Sequence, residues 1–328
     1  MSPTDRTLDF SLLIKIVILF ILSVFVGALL APPIYNGLIS AGRSFESVSL
    51  LREVEFEKLV SRCVLISVLI GAFLMMRCAG LVTLEKQGFR RGVQWKTRLA
   101  VGFILGMASM AILLAAGGLT GAYVPGGESI WSVRFCLKML GNLVGALLVG
   151  FIEEWLFRGV IFGTLRKAVG VAVAVLIASV FFSVVHFARP ENPFGIVHAS
   201  WDSAFRLMPY MFTYDDIRWS YEGFKMATLF FMGVSLCYFY ARFRNLYFVI
   251  GLHAGWVWIM RFGDAFFDDR NQQILPYCFG PTPGIAKSGV ALAMSLLFAL
   301  LAAVIYYVHA GKREAMTLND LPAEPSDG

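Results

Sequence analysis

Long apolar runs separated by short polar stretches dominate the chain. Eight of them stand out, at residues 11–31, 63–84, 99–119, 135–157, 168–187, 226–242, 246–262 and 289–309. Each is close to the ~20 residues a helix needs to cross a hydrocarbon core of about 30 Å. Strand-like alternation is absent, which argues against a β-barrel. The pattern predicts an all-α, polytopic membrane helix bundle of about eight transmembrane helices, forming a single domain over residues 1–310. The first run is longer than the ~7–15 apolar residues of a signal-peptide core. Pro32-Pro33 follows it in place of a small-residue cleavage site, so it is expected to stay as an anchor.

The segments between the runs carry their own patterns. Residues 44–62 mix Glu46, Arg52, Glu53, Glu55, Glu57 and Lys58 with Leu50, Leu51, Val54 and Leu59 near helical spacing, which suits a short amphipathic interfacial helix. The longest connection, 188–224, is rich in aromatics: Trp201, Tyr210, Phe212, Tyr214, Trp219 and Tyr221 suit a headgroup layer. Residues 311–328 are polar, with Pro322, Pro325, Ser326 and Gly328, and are expected to form a disordered cytoplasmic tail. Gly102-x-x-x-Gly106 and Gly141-x-x-x-Gly145 would let helices approach closely.

Composition agrees with a bilayer protein. The chain of 328 residues is 58% apolar and 15% charged, with a mean hydropathy of +0.72. Its cations give the orientation. Arg77, Lys86, Arg90, Arg91, Lys96 and Arg98 face a single Glu85 in the loop 77–98, which marks that loop as cytoplasmic. Arg166-Lys167, Arg242 with Arg244, and Lys312-Arg313 agree at alternate ends, so both termini are expected in the cytoplasm. The net charge of +6 is explained by this bias and calls for no nucleic-acid partner. Cys63, Cys78, Cys136, Cys237 and Cys278 show no metal-type spacing and read as small apolar side chains.

Against this background the most informative feature is Glu153-Glu154-Trp155-Leu156-Phe157-Arg158, set after the uncharged stretch Leu143–Gly150. Charge in hydrocarbon costs at least a few kcal/mol and marks function by default. Glu154 and Arg158 are four apart and share one helix face, so they are expected to pair. Glu153 is rotated by about 100° from Glu154 and is left over as a candidate general base or acid. Two more ionisable residues lie in apolar runs: His186, ending Phe181-Phe182-Ser183-Val184-Val185-His186, and His253, in Gly251-Leu252-His253-Ala254-Gly255-Trp256. His198 and His309 belong to polar or interfacial surroundings.

Together, Glu153-Glu154-x-x-x-Arg158, Phe182-x-x-x-His186 and His253 before Trp256 resemble the three motifs of the CAAX-protease and bacteriocin-processing family of intramembrane glutamic endopeptidases. The resemblance covers about residues 135–262, and the loop Gln87-Gly88-Phe89-Arg90-Arg91 is also similar to bacterial members. It implies an intramembrane hydrolase in which Glu153 and His186 activate a water, His253 stabilises the oxyanion, and Glu154, Arg158, Phe182 and Trp256 support them. It further implies a membrane-embedded or lipid-anchored peptide or protein substrate, membrane lipid as surroundings, and a bacterial cytoplasmic membrane as location. One position departs from the pattern: the family commonly carries Asn or Asp four residues after the third-motif histidine, where this chain has Val257. The alternative is therefore a catalytically silent relative that binds peptides or membrane partners. Two further readings are a proton-coupled transporter, for which no internal repeat is present, and a zinc site of Glu153, His186 and His253, for which no His-Glu-x-x-His is present. No cofactor is otherwise implied.

Helix depths counted from the cytoplasmic ends disagree. At 1.5 Å per residue, Glu153 is expected about 20 Å deep, His186 about 28 Å and His253 about 13 Å.

Overall fold

The computed structural model describes residues 10–45, 51, 53–78, 83, 85–89, 94–126, 129–187, 196, 198–207, 216–268, 276–279 and 285–319. Arg90, Arg91, Tyr210, Phe212 and Tyr214, and residues 320–328 of the expected tail, lie outside them.

Apolar sequence becomes helix because a backbone in hydrocarbon must satisfy its own hydrogen bonds. The helices in chain order are α1 (Phe10–Ser44), α2 (Phe56–Cys78), α3 (Trp95–Leu119), α4 (Val133–Glu154), α5 (Gly163–Val169), α6 (Val171–Val185), α7 (Ser203–Leu207), α8 (Asp216–Phe243), α9 (Leu246–Phe266), α10 (Pro276–Phe279) and α11 (Gly289–Asn319). A π-helical segment, Trp155–Phe162, joins α4 to α5, so that Val133–Val169 is one continuous rod. Among the described residues, seven helices are long and apolar enough to cross a membrane, and α6 is a shorter apolar one. These match the eight expected runs, and the protein is a polytopic all-α membrane bundle.

Several boundaries differ from expectation. α1 continues through Pro32 and Pro33 instead of ending before them. Of the segment 44–62, the second part opens α2 at Phe56, while residues 46–50 and 52, where the first part of the expected amphipathic helix falls, are outside the described residues. α8 starts at Asp216, inside the connection expected to run to 224. α11 extends to Asn319, because Lys312, Arg313, Glu314, Ala315 and Met316 are good helix formers once the apolar part has nucleated the helix.

Lipid-facing and bundle-facing sides separate cleanly. Ile104, Ile112, Leu137, Leu148, Leu176 and Leu300 are exposed. The buried faces carry small residues, because helix association in lipid depends on close packing and not on the hydrophobic effect. The tightest seam joins α3 and α9. A Cβ on Gly102 would strike the Phe248 carbonyl, and one on Gly106 the Leu252 carbonyl; Gly251 and Gly255 press on the Leu99 and Phe103 carbonyls in return. The other small-residue pair behaves differently. Gly141 faces open space and Gly145 receives the Arg261 side chain, while α4 meets α9 at Gly150, where an added Cβ would lie 3.1 Å from the Ile250 carbonyl oxygen. α1 and α2 form their own pair, with Ala28, Ala31, Tyr35, Phe56 and Val60 in a second core.

Two loops explain the depth disagreement. Gly170, at φ 79°, turns the long rod back into α6, a conformation that suits glycine. From that turn Glu153 and His186 are each about 22–24 Å along their helices. α9 does not begin at the surface: Asn245 and Leu246 are fully buried. The loop Gln87-Gly88-Phe89 folds beneath them, with the Gly88 carbonyl accepting the Leu246 N–H at 3.0 Å and Gln87 Oε1 accepting the Trp155 indole N–H at 2.9 Å. His253, only about 10 Å into α9, is thereby lifted to the level of the other two. Counting from charged residues failed because it assumed that each helix starts at the membrane surface.

Widening the α3–α9 seam is expected to lower it. Gly102→Leu should destabilise the bundle by at least the ~1–3 kcal/mol of an overpacked core, read as a lower unfolding midpoint in detergent, whereas Gly141→Leu should leave the midpoint nearly unchanged.

Candidate active site

The π-helical segment begins directly after Glu154. Its wide turn is seen in the Gly163 N–H, which reaches the Arg158 carbonyl five residues back. Such segments are frequent at functional sites because they re-aim side chains relative to the α-helix before them. Here the segment turns Arg158 inward, and both partners of the expected pair are fully enclosed: Arg158 Nη1 donates to Glu154 Oε1 at 2.6 Å, with side-chain exposures of 1% and 0%.

The structure adds a partner that the spacing did not suggest. Glu154 Oε1 also accepts from His253 Nδ1 at 2.7 Å. A carboxylate already bound to a guanidinium can only accept, so Nδ1 carries the proton and Nε2 faces the opposite way. The Arg158 guanidinium stacks on the Phe182 ring, 4.4 Å from its centroid. Phe182 in turn lies 4.4 Å from the His186 ring and 6.1 Å from the His253 ring, centroid to centroid. It packs against the Arg158 guanidinium and both imidazoles, and the stacking offsets part of the burial cost of the cation.

Glu153 is set apart from this network. Its Oε2 lies 3.3 Å from His186 Nε2 and 3.9 Å from His253 Nε2. Glu153 and His186 keep 24% and 22% of their side-chain surface accessible, whereas Glu154 and Arg158 keep almost none. His186 is fixed by its other nitrogen: Nδ1 is 2.7 Å from the Phe182 carbonyl, which can only accept. Its Nε2 faces a carboxylate oxygen of Glu153 that makes no well-aligned hydrogen bond among the described residues. At that separation the two groups are in direct contact, and a water reaches them from the side, not from between them.

Two cavities meet at this point. One, of about 390 Å³, is lined by Phe20 and Val24 of α1, Val64 and Val68 of α2, and Phe157 and Phe181, with Glu153 and His186 at its inner end. It is the apolar gap between the α1–α2 pair and the rest of the bundle. The other, of about 480 Å³, is more polar; Glu153, His186, His253, Val257, Arg261 and Asp264 are among its lining residues.

All three predicted catalytic residues are therefore brought together. Trp256 is not among the groups facing the reaction space with a free donor. Its indole N–H is bound to Ser109 Oγ at 3.0 Å, and that of Trp258 to the Met139 carbonyl at 3.0 Å. Neither indole replaces the donor absent at Val257. Sequence reasoning passed over Arg261 and Asp264. Arg261 lies inside the apolar run 246–262, and that placement alone was a usable signal. Among the described residues, no group of three or more His, Cys, Asp or Glu side chains is disposed to hold a metal ion.

This is an integral membrane protein whose buried acid, arginine and two imidazoles converge inside the bundle. A family model described as Rce1-like, type II CAAX prenyl endopeptidase Rce1-like, matches residues 135–259. The match spans the helices that carry every residue of the constellation, and the resemblance to the CAAX-protease family holds over that segment. That family is one of proteases. No curated protein matches the chain.

Removing one member of the enclosed pair is expected to cost far more than removing both. Arg158→Met leaves Glu154 charged and buried and should destabilise the protein by about 3–5 kcal/mol. Adding Glu154→Gln should recover much of that loss, as read from thermal unfolding of the single and double variants side by side.

Proposed function

We propose that the protein is an intramembrane endopeptidase that uses Glu153 and His186 to activate a water. The observation that carries this reading is the contact of Glu153 Oε2 with His186 Nε2 at 3.3 Å, at a point where two cavities meet. A water beside this pair gives one proton to the Glu153 carboxylate, while His186 orients it. Its oxygen lone pair is then free to attack a peptide carbonyl, and general-base assistance of this kind contributes about 10²–10⁴ in rate.

His253, held by Glu154 through Nδ1, turns Nε2 toward the same space. As an imidazolium it offers an N–H to the oxyanion that develops on the substrate carbonyl. The same site then supplies the proton that the leaving amine needs, since the carboxyl of Glu153 has taken one from water. Arg158 and Phe182 act through the others: Arg158 pairs with Glu154, which anchors His253, and Phe182 packs against both imidazoles.

The apolar cavity beside Glu153 and His186 supports a substrate that is embedded in the membrane or carries a lipid anchor. A prenyl or acyl chain is the kind of group that such a slot accepts, and prenyl endopeptidase is the description of the matched family. With Arg166-Lys167 and Lys312-Arg313 in the cytoplasm by the positive-inside bias, both termini lie on that side of a bacterial cytoplasmic membrane.

The test is cleavage of membrane-anchored peptides by purified protein. Glu153→Gln, which keeps size and removes the base, should lower the rate by about 10²–10⁴ while the protein still elutes as a folded species. Persistent cleavage by that variant sinks the mechanism.

A second reading, a catalytically silent relative that binds peptides or partner helices, is favoured by one observation. Val257 lines the polar cavity with an apolar side chain, and the nearby indole N–H groups are engaged elsewhere. The readings diverge at this residue. If the protein is a hydrolase short of one oxyanion donor, Val257→Asn should raise turnover, by up to ~10²-fold. Unchanged turnover together with loss of a cellular phenotype favours the binding reading.

A further inference from the structure

A further opening in the bundle takes no part in the chemistry just described. It is a groove of about 500 Å³ between three helices, lined by Trp95 and Leu99 of α3, Leu147 and Phe151 of α4, and Tyr247 and Ile250 of α9. It shares no lining residue with the two cavities that meet at Glu153. Its rim is open to the outside, with Trp95 44% and Phe151 47% exposed. The lining changes character with depth. Phe89, which also lines the groove, is 5.6 Å from the rings of both Phe151 and Tyr247, and Trp95 is 5.5 Å from Tyr247, so the aromatics form one level. α3 and α9 run inward from that level and α4 runs toward it. One helical turn deeper, about 5.4 Å, the wall is aliphatic, with Leu99, Leu147 and Ile250. Charge lies on the other side of the aromatics. Lys96 is exposed, its Nζ 5.6 Å from the Trp95 ring centroid, and Arg244 is exposed three residues before Tyr247. Neither belongs to an ion pair among the described residues. Arg98 differs from them: it is half-buried and donates to the Phe243 carbonyl at 3.5 Å.

A neighbouring groove supplies a contrast. It measures about 320 Å³ and is lined by Leu69, Ile70 and Phe73 of α2 with Phe151, Ile152 and Trp155. Among those side chains the one polar atom, Trp155 Nε1, already donates to Gln87. Such a wall accepts any hydrocarbon chain. The groove at Trp95 instead runs from cations through aromatic rings to aliphatic side chains, the profile of an amphiphile with an anionic head. Tryptophan and tyrosine belong at headgroup level, and basic pockets between membrane helices at the cation-rich side bind phosphate headgroups. Residues 77–98 hold six cations and a single acid, Glu85, so an anionic leaflet is drawn to this end of the bundle.

We propose that this groove binds one anionic phospholipid, its phosphate at Lys96 and Arg244 and one acyl chain against Leu99, Leu147 and Ile250, and that the bound lipid braces the active site. The bracing acts through Phe89. Its ring packs on Phe151, two residues before Glu153, and on Tyr247, six residues before His253. The residue before it, Gly88, supports the start of α9 by accepting the Leu246 N–H. A chain lying beside these rings holds the loop, α4 and α9 at one spacing, and Glu153 meets His253 across the same two helices, 3.9 Å apart. The effect on turnover rests on the endopeptidase reading; the lipid site does not.

The experiment uses the full chain in vesicles that mix phosphatidylglycerol with phosphatidylcholine of identical acyl chains. One of the two lipids carries brominated chains, which quench an adjacent indole, and the Trp95 signal is the difference between wild type and Trp95→Phe. Phosphatidylglycerol is expected to be favoured at Trp95 about 5–30-fold, the range for one or two cations near a membrane surface. Lys96→Gln should reduce the preference by about 5-fold, Lys96→Gln combined with Arg244→Gln should abolish it, and high salt should weaken it. Ile70→Phe, which narrows the neighbouring groove, should leave it unchanged. Bracing is read without turnover from backbone hydrogen exchange over residues 246–253, which should slow in phosphatidylglycerol for the wild type and not for the double variant. Phe89→Leu should keep the lipid preference and lose the slowing. Cleavage by the wild type should be faster in phosphatidylglycerol, and the double variant should cleave in both lipids at the wild-type phosphatidylcholine rate.

Equal quenching by the two lipids overturns the proposal, as does a preference that survives the double variant or is lost in Ile70→Phe. An unchanged preference in Leu147→Phe together with loss of self-association overturns it too, since the groove is then a contact between copies of the chain. Exchange that ignores the lipid while the preference stands overturns the bracing. If the wild type cleaves nothing in either lipid but keeps both the preference and the slowed exchange, the endopeptidase reading falls and the braced lipid site stands.

Discussion

A single buried oxygen organises the centre of this protein. Glu154 Oε1 receives both the Arg158 guanidinium and the His253 imidazole. It therefore ties α4 and the π-helical segment to α9 in surroundings where none of these groups would be tolerated alone. Breaking any link strands a charge or a donor in a medium with no water to replace it. The remaining architecture is compatible with that node only in a narrow range of positions. The glycines of α3 and α9 fix the lateral place of α9, and the loop Gln87–Phe89 fixes its height. Phe182 occupies the space that remains between the node and His186.

The node also separates two carboxylates that the sequence places side by side. Glu154 is neutralised, immobile and sealed. Glu153, one residue earlier, is rotated away toward the cavities and carries an oxygen that makes no well-aligned hydrogen bond among the described residues. Adjacent positions on one helix thus have opposite surroundings, one enclosed and one open to the cavities. The difference comes from helical phase alone, sharpened by a π-helical turn that brings Arg158 under the first acid and leaves the other uncovered.

Much of this was legible in the sequence. The apolar runs gave the membrane bundle, because length and hydropathy are local properties. The ion pair between Glu154 and Arg158 followed from a spacing of four. Which glutamate was left over followed as well. The relations that escaped were long-range ones. That His253 binds Glu154 depends on where α9 begins, and α9 begins inside the protein, on a loop that starts well over a hundred residues earlier in the chain. The equal depth of the three residues was hidden for the same reason. Of two identical small-residue motifs, Gly102-x-x-x-Gly106 packs a helix and Gly141-x-x-x-Gly145 does not, and only the neighbour that each meets distinguishes them. Arg261 was visible as a letter in an apolar run, but its meaning depends on a cavity formed from several other helices.

The meeting of two unlike cavities at Glu153 has a consequence for the reaction's direction. On the proposed reading, cleavage leaves one fragment dissolved in the hydrocarbon side and the other in the aqueous side. Each then dilutes into a phase that the other does not enter. Resynthesis would require both to return to the same few cubic nanometres at once. On that reading the partitioning of the fragments, and not the catalyst, disfavours the reverse reaction.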